Sequence, residues 1–105
     1  MDNSVISPRF TSAFDILGKR WTGLIIATLV DGPHHFNEIL ELIPELNESM
    51  LSKRLKEMIG EGIVTRDVYS QTPVCIEYRL TDKGQALHSV LEEVYDWADV
   101  WMDDM

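Results

Sequence analysis

Cysteine, long apolar runs and basic residues are all scarce in this sequence, and each scarcity excludes something. The one cysteine, Cys75, cannot build an internal disulfide framework, so a reducing cytoplasm is the expected setting. The longest apolar run, Leu24 to Val30, is interrupted by Thr28 and falls far short of the roughly 20 apolar residues that cross a bilayer. No succession of charged, apolar and small residues marks a secretory signal at the start, and no membrane partner is expected. A Gly-rich phosphate loop, a Gly-x-Ser-x-Gly elbow and a His-Glu-x-x-His helix are all missing. Carboxylates are plentiful but scattered over polar faces, so the sequence supports no enzyme and implies no cofactor.

Nine Lys and Arg against 18 Asp and Glu leave a net charge of −9. That balance at first opposes nucleic acid, because phosphate contacts supply most nonspecific affinity. The distribution alters the reading. Residues 84–105 hold Glu92, Glu93, Asp96, Asp99, Asp103 and Asp104 with no Lys or Arg, whereas residues 49–83 carry six basic groups against five acidic ones. The acidity is partly segregated to the C-terminal end. With 105 residues, 45% of them hydrophobic, residues 1–105 fit one domain with a modest core.

Local punctuation divides the chain. "SAFDILGKRWTGLIIATLVDGP" predicts a short helix over about residues 9–17, a break at Gly18, and a second helix over about 20–30 stopped by Gly32-Pro33. Trp21, Leu24, Ile25 and Leu29 would form the buried stripe of the second. "HFNEILELI" is a short amphipathic helix with Phe36, Ile39, Leu40 and Ile43 as apolar positions. "PELN" turns the chain, and Asn47 is a suitable N-cap for a helix starting at Glu48. In that helix Ser49, Ser52, Lys53 and Lys56 fall at i, i+3, i+4 and i+7 on one face, with Leu51, Leu55, Met58 and Ile59 roughly opposite. Gly60 and Gly62 end it. "VCIEYRL" alternates Val74, Ile76, Tyr78 and Leu80 with Cys75, Glu77 and Arg79, as a half-buried strand does, and "IVTRDVY" would pair with it across the "SQTP" turn. Thr81 would cap one long last helix whose stripe is Leu87, Val90, Leu91, Val94, Trp97, Ala98 and Trp101.

Two helices joined by a tight turn and followed by a hairpin make a winged helix-turn-helix: mainly α with a small β-hairpin wing. On that frame the residues resemble the HxlR-type winged helix-turn-helix transcriptional regulators of bacteria, relatives of the MarR group, over about residues 7–98. The motifs that carry the resemblance are "LGKRWTGLII", "DGPHHFNEI", "MLSKRLKEM", "GIVTRDVY" and "IEYRLTDKG", in that order.

The resemblance implies a homodimeric regulator, a repressor of nearby genes, that binds double-stranded operator DNA with the helix from about Glu48 to Gly60 in the major groove and the wing over the adjacent backbone or minor groove. Carried over residue by residue, the DNA contacts are Ser49, Ser52, Lys53 and Lys56 on the recognition helix, and Arg66 and Arg79 near the wing. Arg54 lies at the margin of that face, where a structural ion pair and a phosphate contact are both open to it. Many members carry a cysteine beside a proline near the N-terminus, which some use to sense oxidants or electrophiles. Ser7-Pro8 stands there instead, so sensing through that position is excluded. Cys75-Ile76 and His35 also stand where basic residues are common, which implies weaker or more salt-sensitive DNA binding than the family norm.

Lys can reach guanine acceptors or phosphates equally, and no Asn, Gln or Arg lies squarely on the 49/52/53/56 face, so the operator sequence is not encoded legibly. Cys75 shares its strand face with Glu77 and Arg79, whose opposed effects on a thiolate leave two readings open, an unreactive thiol and a redox sensor. His34 and His35 are adjacent in an extended stretch with no cysteine nearby in sequence, and no metal site is expected. The aromatic stripe of the last helix needs cover; Leu91, Val94, Trp97 and Trp101 are read as a dimer surface, with Phe10 and Phe14 of the first helix as partners from the same or the other subunit. A winged-helix module that binds a protein partner is the alternative from another class, and a small-molecule or redox inducer is left unnamed.

Overall fold

A computed structural model describes residues 7–103. Helix α1 spans Pro8–Leu17, with proline at its start, where the missing N–H costs nothing. Gly18 ends it: a Cβ there would press on the Phe14 carbonyl oxygen, whose hydrogen bond the Gly18 N–H donates. Helix α2, Thr22–Leu29, begins two residues later than the pattern predicts, because Trp21 adopts a left-handed φ of 78°. Such a conformation costs a non-glycine residue of order 1–3 kcal/mol. Trp21 is held there by packing against the core and by the Arg20 guanidinium, 4.6 Å from its ring centroid. The buried face of α2 is Thr22, Ile25, Ile26 and Leu29. Leu24 is 55% exposed, a correction to the expected stripe. In a helix that is apolar on most sides the period alone does not set the phase, and here Gly23 turns toward α6, against Leu91.

Helix α3, Phe36–Leu42, starts at His35, whose backbone N–H donates to Glu38 Oε1 at 2.7 Å. Its Ile39 is buried, and Ile43 and Leu46 continue the core through the turn. Helix α4, Glu48–Gly60, is capped as its sequence predicts: Asn47 Oδ1 accepts the Met50 N–H at 2.8 Å. Leu51, Leu55 and Met58 are its buried residues, and Ile59 lies at the exposed edge. Gly62 then takes φ +74°, a left-handed step that suits glycine.

Strands β1, Val64–Tyr69, and β2, Cys75–Leu80, pair antiparallel in the register Val64 with Leu80 through Tyr69 with Cys75. His34 and Tyr78 exchange backbone hydrogen bonds on the far edge of β2, so the wing is tied to the segment entering α3. Val64, Tyr78 and Leu80 reach the core, Ile76 half so, and Val74 lies exposed beyond the strand end. The single long last helix is also corrected. Thr81 Oγ1 accepts the Gly84 N–H and caps a short α5, Asp82–Gln85, and α6, His88–Trp101, begins after a break. Gly84 sits so close to the Ile63 carbonyl that a Cβ would collide with it and crowd Leu80. Gly84→Ala is expected to cost about 1–3 kcal/mol, read as a lower urea midpoint; an unchanged midpoint would contradict this packing.

Candidate nucleic-acid interface

The core fixes which face of α4 meets solvent. With Leu51, Leu55 and Met58 inward, Ser49, Lys53 and Lys56 are exposed and Ser52 is half-buried on the opposite side. Lys53 and Lys56 form no ion pair among the described residues. Two ammonium groups and two hydroxyls are thus aligned along one helix face without local neutralisation, which suits a phosphate backbone.

Arg54 takes the ion-pair role of the two open to it. Its side chain is 11% exposed; Nη1 donates to Glu57 Oε1 at 2.9 Å and Nε to the Arg20 carbonyl at 2.8 Å. Lys19 Nζ reaches the other Glu57 oxygen, also at 2.9 Å. Glu57 therefore ties α4 to the α1–α2 turn and helps set the orientation of that helix, a role that sequence reasoning missed because Lys19 lies 38 positions away. Lys19, and then Arg54, hold the Glu57 carboxyl below the ordinary carboxylate range. A folded-state pKa below the unfolded one stabilises fully above the unfolded value of 4.5, and the contribution is lost as pH falls through the folded value. Glu57→Gln is expected to flatten the fall in stability below pH 4.5, measured by urea titration at several pH values. Parallel curves for both proteins would contradict the linkage.

The two wing arginines sit on opposite faces of the hairpin. Arg66 is opposite Tyr78, on the face that runs into the core, exposed and without an ion pair among the described residues. Arg79 is opposite Thr65 on the other face, where its Nε holds Asp67 Oδ2 at 3.1 Å. Of the two wing arginines only Arg66 is thus left without an ion pair among the described residues.

The residues read as a dimer surface lie on α1 and α6. Phe10 and Phe14 meet in a tilted arrangement, 5.0 Å between ring centroids and 56° between planes, both more than half exposed. Leu91 packs on the core, whereas Val94, Trp97 and Trp101 are exposed on a helix with no buried residue. The radius of gyration, 15.3 Å, exceeds the about 13 Å of a compact chain this long.

The HxlR-like helix-turn-helix model matches residues 16–105. The chain belongs to the HxlR-like helix-turn-helix family. This HxlR-like chain is 50% identical to YvaP of Bacillus subtilis, an uncharacterised HTH-type transcriptional regulator, over 98% of this chain and 95% of that one. It superposes on the reduced form of the transcriptional regulator YodB from B. subtilis with a TM-score of 0.84 and 49% identity, covering 93% of this chain and 96% of the other. The oxidised form of the redox regulator HypR gives a TM-score of 0.85 at 31% identity, over 91% and 99% of the two chains. These matches make the HxlR-like protein a transcriptional regulator of the helix-turn-helix type, in a family of regulators rather than enzymes. No helix among its described residues is long and apolar enough to cross a membrane.

The fold also joins what the sequence separates. His35 lies beside Cys75 and Glu77, so the cysteine that is missing from the sequence neighbourhood of the histidine pair is brought to it from 40 positions away.

Proposed function

We propose that this HxlR-like regulator is a cytoplasmic homodimer, one domain per chain, that binds operator DNA and represses the genes beside it. Ser49, Ser52, Lys53 and Lys56 enter the major groove, Arg66 and Arg79 lie near the backbone, and α1 and α6 pair the two chains. The observation that carries this reading is the outward α4 face, with two unpaired lysines opposite a fully buried apolar face. A twofold dimer presents two such faces to half-sites roughly 34 Å apart. A reporter driven by the DNA upstream of the regulator's own gene tests the direction of control. Repression is expected when the chain is expressed and relief when Lys53 and Lys56 are replaced; activation would overturn the repressor reading.

A second reading, thiol sensing through Cys75, is favoured by one contact. Cys75 Sγ, half-buried at the base of the wing turn, lies 3.9 Å from His35 Nδ1, a polar partner within reach of the thiol. Relatives described as reduced YodB and oxidised HypR lend it support. Oxidant is then expected to change DNA release in the native chain and leave Cys75→Ser unaffected; equal responses would remove this reading.

A further inference from the structure

Two segments distant in sequence meet on the outer face of the wing: His35 at the start of α3, and Cys75 and Glu77 on one face of β2. One ligand atom from each lies within 4.8 Å of the others, and Sγ to Nδ1 is 3.9 Å. The exchange of backbone hydrogen bonds between His34 and Tyr78 holds the two segments together, so the cluster is part of the fold rather than a chance approach of long side chains. We propose that His35, Cys75 and Glu77 bind a thiophilic divalent cation of the Zn²⁺ class, with water in the fourth position.

Distances and donor types support this. In a tetrahedral Zn²⁺ site, bond lengths of about 2.0–2.3 Å put neighbouring ligand atoms about 3.5 Å apart, so sulfur and nitrogen need close by only a few tenths of an ångström, and the widest pair, within 4.8 Å, by a side-chain adjustment of about 1 Å. A thiolate, an imidazole and one carboxylate select a Zn²⁺-like ion over Mg²⁺ or Ca²⁺, which take oxygen ligands. Local charge favours a cation too. Arg79 is taken up by Asp67, directly opposite Glu77 across the hairpin, which leaves the Glu77 carboxylate without an ion pair among the described residues. Glu38 is the carboxylate nearest the far side of the ring: its Oε1 accepts the His35 backbone N–H at 2.7 Å and lies 3.9 Å from Nε2, so it would have to move closer to hold the imidazole. Carboxylates commonly orient a ligating imidazole in this way.

Binding has a defined proton balance. The neutral His35 ring changes tautomer: the proton that Nδ1 shares with the Ile76 carbonyl at 2.8 Å leaves for solvent as Nε2 takes one up, so the ring's proton count is unchanged. The Cys75 thiol loses its proton to solvent as sulfur bonds to the metal, so one proton is released per ion. The complex would clamp the wing strand to the start of α3. None of this depends on the DNA reading.

The test is a titration of the full chain with Co²⁺, then Zn²⁺, in reduced buffer free of thiols. The expected result is about one Co²⁺ per chain with visible bands of four-coordinate cobalt and a near-ultraviolet thiolate charge-transfer band. Zn²⁺ displaces it and protects Cys75 from alkylation. Cys75→Ser loses the charge-transfer band, and both it and His35→Gln lose affinity by about 100-fold or more, the upper end of what removal of an outer partner costs. His88→Gln, which removes the imidazole of the separate His88–Glu92 pair, leaves binding unchanged, and circular dichroism verifies that each variant is folded. Cobalt bound without thiolate charge transfer, affinity unaltered in Cys75→Ser and His35→Gln, or affinity lost in His88→Gln would each overturn the proposal.

Discussion

Replacing both Lys53 and Lys56 with alanine is expected to weaken operator binding by roughly 1,000-fold or more at about 0.1 M salt, the largest effect of any change on α4. If each lysine meets one phosphate, a dimer loses four contacts, and the slope of log affinity against log salt becomes shallower by about 0.9 per contact, or about 3.6 units. The electrostatic part of the affinity vanishes near 1 M salt, so across the one decade down to about 0.1 M that slope change is also the loss in log affinity. Both side chains are exposed and unpaired among the described residues. Stability should therefore shift by no more than about 0.5 kcal/mol, which separates lost contact from lost fold. An unchanged slope would place the lysines away from DNA.

The double substitution Trp97→Glu with Trp101→Glu is expected to convert a dimer into single chains. Helix α6 carries no buried residue, and Val94, Trp97, Val100 and Trp101 are all more than half exposed. A tryptophan buries about 150–250 Å² when covered, so four of them, with Phe10 and Phe14 from each chain, approach the about 1,200 Å² of a stable interface. Sedimentation velocity at micromolar concentration should give a two-chain mass for the native protein and a one-chain mass for the variant. Far-ultraviolet circular dichroism should be preserved, since neither indole supports the core. Losing the second half-site should also weaken DNA binding by about 100-fold or more, the scale of a lost avidity term. A native protein that sediments as one chain would contradict the dimer.

The parts of this molecule legible in its sequence are those governed by near neighbours. Asn47 announces the start of α4, the 3.6-residue period picks out Leu51, Leu55 and Met58 as its buried side, and the alternation around Tyr78 finds the hairpin. The outward placement of Ser49, Lys53 and Lys56 follows from the same period. What was not legible depends on contacts across the fold. Leu24 and Ile26 are equivalent by hydropathy, and only the approach of Gly23 to Leu91 decides which is buried. Leu46 reads as part of a polar turn yet is buried, because the turn folds back onto the core. The break before α6 arises where Gly84 is pressed against the Ile63 carbonyl, a contact no helix propensity encodes. Arg54 sits at the margin of two faces by period, and the Arg20 carbonyl and Glu57 settle its place. The meeting of His35 with Cys75 and Glu77 spans about 40 positions and is set by the pairing of His34 with Tyr78.

The most direct test of DNA recognition through α4 is fluorescence anisotropy of the purified protein with the duplex upstream of its own gene, beside a scrambled duplex, over a series of salt concentrations. The expected result is a marked preference for the native duplex and an affinity that falls steeply with salt, with the steepness reduced in the Lys53/Lys56 double variant. Equal, weak binding to both duplexes that is indifferent to salt and to the two lysines would contradict it and leave a protein partner as the target of this winged helix.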